Sequence, residues 1–340
     1  MERFLRERGF DVRVLHGEGN NTGSAGGRRS IFRWIGWPDS HIPFVLKNIK
    51  KLKSILREFD PHYIYITSPP FSTLLFLPFI RNRKVLVEFR DVWSYDEILK
   101  LYRTPIQKAL SRWYEGYSIR KAWKVVCTNE NQCEYLKRIH RENSGKFITI
   151  PHFYIPAETP HQSKGKKERL RICYAGTADW MKGLEKVIPL MKEFEKIEVL
   201  IRGQVKDVEI HGAEILPPLD YEETLKWIVE ECDAVWISLD RFRGHHLITS
   251  SKSKALLSTG IPIFATVPHD NLMFRDFERI GGIYLSDIDD VEGIKRTLSQ
   301  MVDDWKTGQL KRPENPEIFR YDVVLQELLN VMGGETPPND

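Results

Sequence analysis

The stretch Ser250-Ser251-Lys252-Ser253-Lys254-Ala255-Leu256-Leu257-Ser258-Thr259-Gly260-Ile261-Pro262-Ile263-Phe264-Ala265 reads as a helix, a turn and a strand in succession. Hydroxyls at its start suit a helix N-cap, because a Ser or Thr oxygen accepts from the free N–H groups of the first turn. Gly260 suits the left-handed residue that closes a helix. The apolar run from Pro262 reads as a strand. A helix N-terminus opening at a strand edge, with basic residues beside it, has the form of a phosphate cradle. An ordinary helix–turn–strand unit of an α/β domain fits the same stretch, so the flanking chain has to decide.

Upstream, a strand over 170–175 runs into the turn Gly176-Thr177-Ala178-Asp179-Trp180-Met181-Lys182-Gly183 and a helix over 184–194. Strands over 198–202, 214–216 and 234–239 alternate with helices over 221–231 and 251–258; strands over 260–265 and 282–285 and a helix over 291–305 follow. The N-terminal half alternates in the same way, with strands over 62–66, 84–89, 124–128 and from 147, and helices over 41–59, 105–120 and 131–140. Alternation of this kind predicts parallel sheets covered by helices. The polar, charged run over 161–169 has no apolar periodicity and reads as a linker. The expected domains are 1–160, a linker over 161–169, a second domain over 170–312, and a C-terminal helix and tail over 313–340.

Residues 1–15 read as the end of a helix, a Gly turn and a strand. A doubly wound domain normally starts with a strand, so a first strand is expected ahead of Met1. The Gly-rich run over 20–29 reads as a loop and lacks the strand-before, helix-after setting of a phosphate loop.

Composition narrows the classes. With 340 residues, 41% hydrophobic content and 29% charge, the chain suits two soluble domains. A net charge of +4 is too mild to argue for nucleic acid but permits a phosphorylated ligand or an anionic surface. Cys127, Cys133, Cys173 and Cys232 show no C-x-x-C spacing and read as buried reduced thiols of a cytoplasmic protein. No signal peptide is visible, and the apolar run over 71–80 is too short to span a bilayer. Lys47, Lys50, Lys51, Lys53 and Arg57 lie along the expected helix over 41–59, which reads either as a solvated face or as weak contact with the inner membrane surface. The pair His245-His246 makes no metal site, since sequence neighbours point apart. No metal or other cofactor is expected.

Several segments resemble glycosyltransferase family 4, whose members have the GT-B fold of two Rossmann-like βα domains facing a central cleft. Thr67-Ser68-Pro69-Pro70 is similar to the family's TSPP turn, and Arg90-Asp91-Val92-Trp93-Ser94 to its RDxWP segment, with Ser in place of Pro. Phe147-Ile148-Thr149-Ile150-Pro151 resembles the run that ends in IP, Tyr174-Ala175-Gly176 with Lys182-Gly183 resembles YxG…KG, and Ser251-Lys252 with Gly260 and Pro262 resembles SK…GxP. The resemblance covers nearly the whole chain in the right order. It implies a retaining transferase that moves a sugar from a nucleotide diphosphate sugar to a glycan or lipid-linked acceptor. Lys182, Gly176, Ser250, Ser251 and Lys252 would hold the donor phosphates, and Asp91 would act at the acceptor or the transferred sugar. Thr67, Ser68, Arg90, Arg202, Arg243 and His246 would line the cleft.

Departures from the family pattern stand beside it. The two family glutamates, eight positions apart, fall on Leu247 and Ala255, and no Glu occurs between Glu231 and Glu278. The arginine that often follows the YxG glycine is missing from Thr177-Ala178-Asp179. A charged hydrogen bond contributes about 1.5–3 kcal/mol, so losing one glutamate would weaken nucleotide binding by one to two orders of magnitude. Two other readings therefore compete: a GT-B-fold binding subunit without catalysis, and a different two-domain α/β enzyme such as an epimerase.

Overall fold

The computed structural model describes residues 1–15, 37–94, 104–156 and 168–333. Two compact units result: Met1–Pro151 with Glu327–Asp340, and His152–Gln326. The Gly-rich run over 20–29 lies outside the described residues, as does most of the expected linker.

In the first unit, strands β1 (Tyr63–Ser68), β2 (Lys84–Phe89), β3 (Lys124–Cys127) and β4 (Phe147–Thr149) form a parallel sheet in the order β1-β2-β3-β4. Only Lys84 of β2 is exposed, as expected for a parallel strand covered on both faces. Helices α1 (Glu2–Glu7), α2 (Ile42–Glu58), α3 (Pro105–Lys121) and α4 (Glu130–Ile139) accompany it, with a 3-10 segment over Phe71–Phe79. Thr104 and Gln107 close a capping box at the start of α3. The Asn129 side chain accepts from Gln132 N (2.8 Å) to start α4. The strand expected over 10–15 is not formed: this segment pairs with no strand among the described residues. The Arg6 guanidinium holds the Val12 carbonyl instead.

The second unit contains strands β5 (Leu170–Ala175), β6 (Ile197–Arg202), β7 (Glu214–Leu216), β8 (Ala234–Ser238), β9 (Ile263–Thr266) and β10 (Tyr284–Ser286). All pairings are parallel, in the order β10-β9-β8-β5-β6-β7. Helices α5 (Leu184–Lys192), α6 (Tyr221–Glu231), α7 (Ser251–Leu257), α8 (Leu272–Ile280) and α9 (Val291–Thr307) connect or cover them. Alternate residues of β5 serve two cores. Leu170, Ile172 and Tyr174 pack with Leu184, Val187, Ile188 and Met191 of α5 and Ile294, Leu298 and Met301 of α9. Cys173 and Ala175 pack with Ile228 of α6, Leu256 and Leu257 of α7, and Met273, Phe277 and Ile280 of α8.

Three further features depart from the sequence reading. Helix α8 is not expected from it, although Asn271 caps Met273 N (2.8 Å) and Gly281 ends the helix. The expected last helix is broken into α10 (Tyr321–Val324) and α11 (Gln326–Met332). Residues 152–154 and 319–321 are tied by Tyr154 N donating to Phe319 O (3.0 Å) and Tyr321 N donating to Tyr154 O (2.9 Å), which keeps this part of the C-terminal segment in the second unit. Tyr63 Oη then donates to Met332 O (2.5 Å), within the first unit.

The third departure is a disulfide between Cys173 and Cys232, with Cα atoms 5.9 Å apart. The expectation of four reduced thiols is thus corrected: Cys127 and Cys133 are free and buried, the other two bonded. Two hydrogen bonds bring them together, Asp233 N to Arg171 O (3.0 Å) and Arg171 N to an Asp233 carboxylate oxygen (2.8 Å). Spacing in sequence carries no sign of that approach.

Candidate functional site

The strand order of the second unit reverses at one place. From β5 the chain moves outward to β6 and β7, then returns to β8 on the other side of β5 and continues to β9 and β10. Loops leaving the C-terminal ends of β5 and β8 therefore part in opposite directions and leave a crevice, where open α/β sheets bind their ligands. The residues after β5 and β8 are Gly176 and Leu239.

Gly176 has φ of 127° and donates its N–H to Arg202 O (2.8 Å). A side chain there would overlap the Lys252 ammonium. Glycine thus lets Lys252, from the first turn of α7, lie across the end of β5. The Lys252 ammonium sits 5.0 Å from the centre of the Tyr174 ring, whose negative face attracts a cation.

The following loop is fixed from both sides. Asp179 accepts from Met181 N through its carboxylate (3.1 Å) and from Lys182 N through its carbonyl (2.9 Å). From the end of β8, Ser238 Oγ donates to Lys182 O (2.6 Å) and Asp240 N to Met181 O (2.8 Å). Gly183, with φ of 63°, precedes α5 against the Asp240 side chain. Lys182 thus belongs to an ordered turn tied to both strands flanking the reversal.

Charge is the informative feature of this crevice. Lys182 and Lys252 are half-buried, and neither ammonium has a carboxylate partner or hydrogen bond among the described residues. Burial pushes the Lys182 ammonium below its ordinary pKa, with Asp179 opposing. The Lys252 pKa is pushed down to about 8, by burial first and by the Lys182 charge second, against Asp179. Two partly desolvated cations repel one another, so an anion placed between them would relieve both. Lys254 behaves differently: it is buried and pairs with Asp276 at 2.5 Å, a fold contact.

Ser250 stands at the N-cap of α7 but its side chain caps nothing. Its N–H donates to the Met273 sulfur (3.2 Å), while Ser253 Oγ donates back to Ser250 O (2.5 Å). The hydroxyl cap expected from the sequence is therefore corrected. Ser251 is exposed at the start of the helix. Arg202 ends β6 beside Gly176, but its guanidinium lies 4.5 Å from the Trp227 ring centre and donates to Pro217 O (3.1 Å). Arg243 is exposed, and His246 is half-buried with its ring 5.8 Å from that of His245. Asn271 Nδ2 holds this segment by donating to the carbonyls of His245 (2.6 Å) and Ile248 (3.0 Å).

In the first unit Asp91 follows the C-terminal end of β2. Its carboxylate has no hydrogen-bonding or ionic partner among the described residues, and burial raises its pKa, with Arg90 opposing. Arg90 pairs instead with Glu88 (3.2 Å). Trp93 is fully buried and stacks on Phe71 at 4.7 Å, which anchors the segment carrying Asp91. Thr67 and Ser68 end β1. Ser68 has no exposed surface and donates to Glu88 O (2.8 Å), so it serves the fold and not a cleft wall.

The sequence reading omits Tyr174, Asp179 and Ser238, which support the two lysines. Tyr174 lies inside a quoted motif, but only the strand order reveals what its ring underlies. Among the described residues no group of three His, Cys, Asp or Glu side chains could hold a metal ion.

Comparison with known proteins bears on the family and the fold. The sequence profile of Glycosyltransferase Family 4 matches residues 1–157. No curated protein sequence matches the chain. Among solved structures, the chain is similar to Anabaena Alr3699/HepE in complex with UDP and glucose, at TM-score 0.58 and 10% identity, over 90% of this chain and 84% of that one. It is similar to an α,α-trehalose-phosphate synthase (UDP-forming) from Burkholderia xenovorans at TM-score 0.58 and 10% identity, over 86% and 78%. A sucrose-phosphate synthase from Thermosynechococcus elongatus gives TM-score 0.56 and 13% identity over the same shares, 86% and 78%. At these identities the structural likeness establishes the fold, which is GT-B.

Proposed function

We propose that this chain, whose residues 1–157 match Glycosyltransferase Family 4 and whose fold is GT-B, transfers a sugar from a nucleoside diphosphate sugar to a glycan or lipid-linked acceptor with retention of anomeric configuration. The observation that carries the donor assignment is the unpartnered Lys182–Lys252 pair at the strand-order reversal of the second unit. A diphosphate between the two ammoniums would satisfy both. UDP-sugars are the first donors to try, since the Anabaena relative of this fold holds UDP and glucose.

The chemistry follows from charge. As the glycosidic bond to phosphate breaks, negative charge grows on the leaving β-phosphate. Two fixed cations in a partly water-excluded site stabilise that charge more than they stabilise the intact donor, which lowers the barrier. The missing side chain at Gly176 leaves the Lys252 ammonium its place over the end of β5. Asp91, unpartnered at a strand end of the first unit, is given the reacting sugar or the acceptor hydroxyl. Burial raises its pKa above the ordinary carboxylate value, the direction that favours a group able to hold a proton.

Leu247 and Ala255 stand where the family places its glutamates, so the ribose must be gripped by other groups and donor affinity is expected to be modest. The test is incubation with UDP-sugars and a panel of glycan and lipid-linked acceptors, with the anomeric configuration of any product read by NMR. A retained anomer supports the proposal. An inverted one overturns the stereochemical part. UDP binding without transfer to any acceptor would favour a non-catalytic binding subunit.

A further inference from the structure

Helix α3 is amphipathic in the wrong direction for a helix that only covers a sheet. Its buried face holds Ser111, Tyr114, Glu115, Ser118 and Ile119, whereas Ile106, Leu110 and Trp113 are 79%, 37% and 58% exposed. The exposed three stand at i, i+4 and i+7, which aligns them on one stripe. Tyr117, at i+11, extends it and stacks on Trp113 at 6.1 Å.

The inward polar groups are partnered, and these partners fix the helix rotation. Ser111 Oγ accepts from Trp37 Nε1 (2.8 Å) and donates to Gln107 O (2.8 Å). Glu115 accepts from Ser94 N (2.8 Å), and its other oxygen lies 3.1 Å from His140 Nε2. Turning the helix to bury Ile106 and Trp113 would orphan these groups, at a cost for each. The apolar stripe is therefore held outward by the fold.

Charge indicates what would cover it. Lys108, Arg112, Arg120 and Lys121 are exposed on α3, and its one acidic residue, Glu115, is buried. Helix α2 packs on the same 3-10 segment as α3. Phe44 meets Phe76 with ring centres 6.0 Å apart, and Tyr114 Oη donates to Leu74 O (3.3 Å). It adds exposed Lys47, Lys50, Lys51, Lys53 and Arg57, and Leu46 at 65% exposure. A second copy meeting this face through its own would set cations against cations. An anionic lipid surface would accept both the apolar stripe and the cations.

We propose that the first unit docks on anionic lipid bilayers through Ile106, Leu110 and Trp113 of α3, with the basic residues of α3 and α2 facing the headgroups. The α2 surface supplies attraction and the α3 stripe supplies insertion. This deepens the lipid-linked acceptor reading and rests on it for its purpose, whereas the docking itself is measurable without any sugar transfer.

The test is sedimentation of the full chain with phosphatidylcholine vesicles, with and without phosphatidylglycerol. The wild type is expected to pellet with the anionic vesicles and to stay in solution with the neutral ones. Ile106→Ser/Trp113→Ser should weaken binding at least tenfold, and each of Arg112→Gln and Arg120→Gln about fivefold. UDP binding should be unchanged in all of them. No binding by the wild type, or equal binding by the Ser variant, overturns the proposal. So does a wild-type dimer that Ile106→Ser/Trp113→Ser converts to monomer, which would assign the stripe to a second copy. Transfer that fails although docking and UDP binding persist would count against the acceptor reading and leave the docking intact.

Discussion

The two units use the same building blocks and hold different sites. In the second, the strand order reverses between β5 and β8, and two unpartnered lysines converge beside that reversal. In the first, the described strands run in simple succession and present an unpartnered carboxylate, Asp91, at a strand end. A sheet with a reversal opens a crevice in which loops from opposite sides surround an anion. A sheet without one offers single strand ends, so chemistry there rests on individual side chains.

The sharpest way to break the contrast is to remove the cations. Lys182→Ala/Lys252→Ala should lower transfer by about a hundredfold to ten-thousandfold, about 3–6 kcal/mol, from two charged contacts of about 1.5–3 kcal/mol each. Its melting temperature should not fall, because it loses two mutually repelling, half-buried charges; initial rates and thermal melting check both. Asp91→Asn should then separate the units. The expected loss is about a hundredfold or more in kcat with UDP affinity unchanged, measured by steady-state kinetics and calorimetry.

A third difference concerns stability. The disulfide closes a separation of 59 residues in the second unit only. In the chain-entropy treatment such a crosslink contributes about 4 kcal/mol. Reductant, or Cys173→Ser/Cys232→Ser, should lower the melting transition of the second unit and leave that of the first in place, as read by calorimetry.

The smallest effect is on pH. The Lys252 pKa lies near 8 in the folded chain, against an ordinary 10.5. Below about 8 the ammonium is charged in both folded and unfolded chains, and its burial penalty is fully present. Between about 8 and 10.5 the unfolded chain binds more protons, so stability rises with pH. A bound diphosphate would reverse the preference by favouring the charged form. UDP affinity should therefore fall above pH 8, with proton uptake on binding, and Lys252→Gln should flatten that dependence.

Much of this was legible before the structure. Strands β2, β5 and β7 and helix α6 match the ranges read from the sequence: β2 and β5 are largely apolar, mostly buried strands, α6 has its Asp220 cap, and β7 is a short edge strand with two exposed residues. Lys182 is legible from its turn between Gly176 and Gly183, and Lys252 from its place at the start of a helix. Strand order was not legible, since local pattern does not encode which strands pair across long connections. Nor was the outward stripe of α3: periodicity locates an apolar face without saying whether it points inward. Cys173 and Cys232 meet through Arg171 and Asp233, a contact that no spacing reveals. The Ser250 cap is absent although Ser250 holds the N-cap position, since a residue type fixes the cap's chemistry but not its rotamer.

The most direct test is calorimetric titration of UDP and of uridine into the wild type and into Lys182→Ala/Lys252→Ala. The wild type should bind UDP far more tightly than uridine, and the variant should lose that preference while remaining folded. Equal UDP affinity in the two proteins would contradict a diphosphate site at the lysine pair.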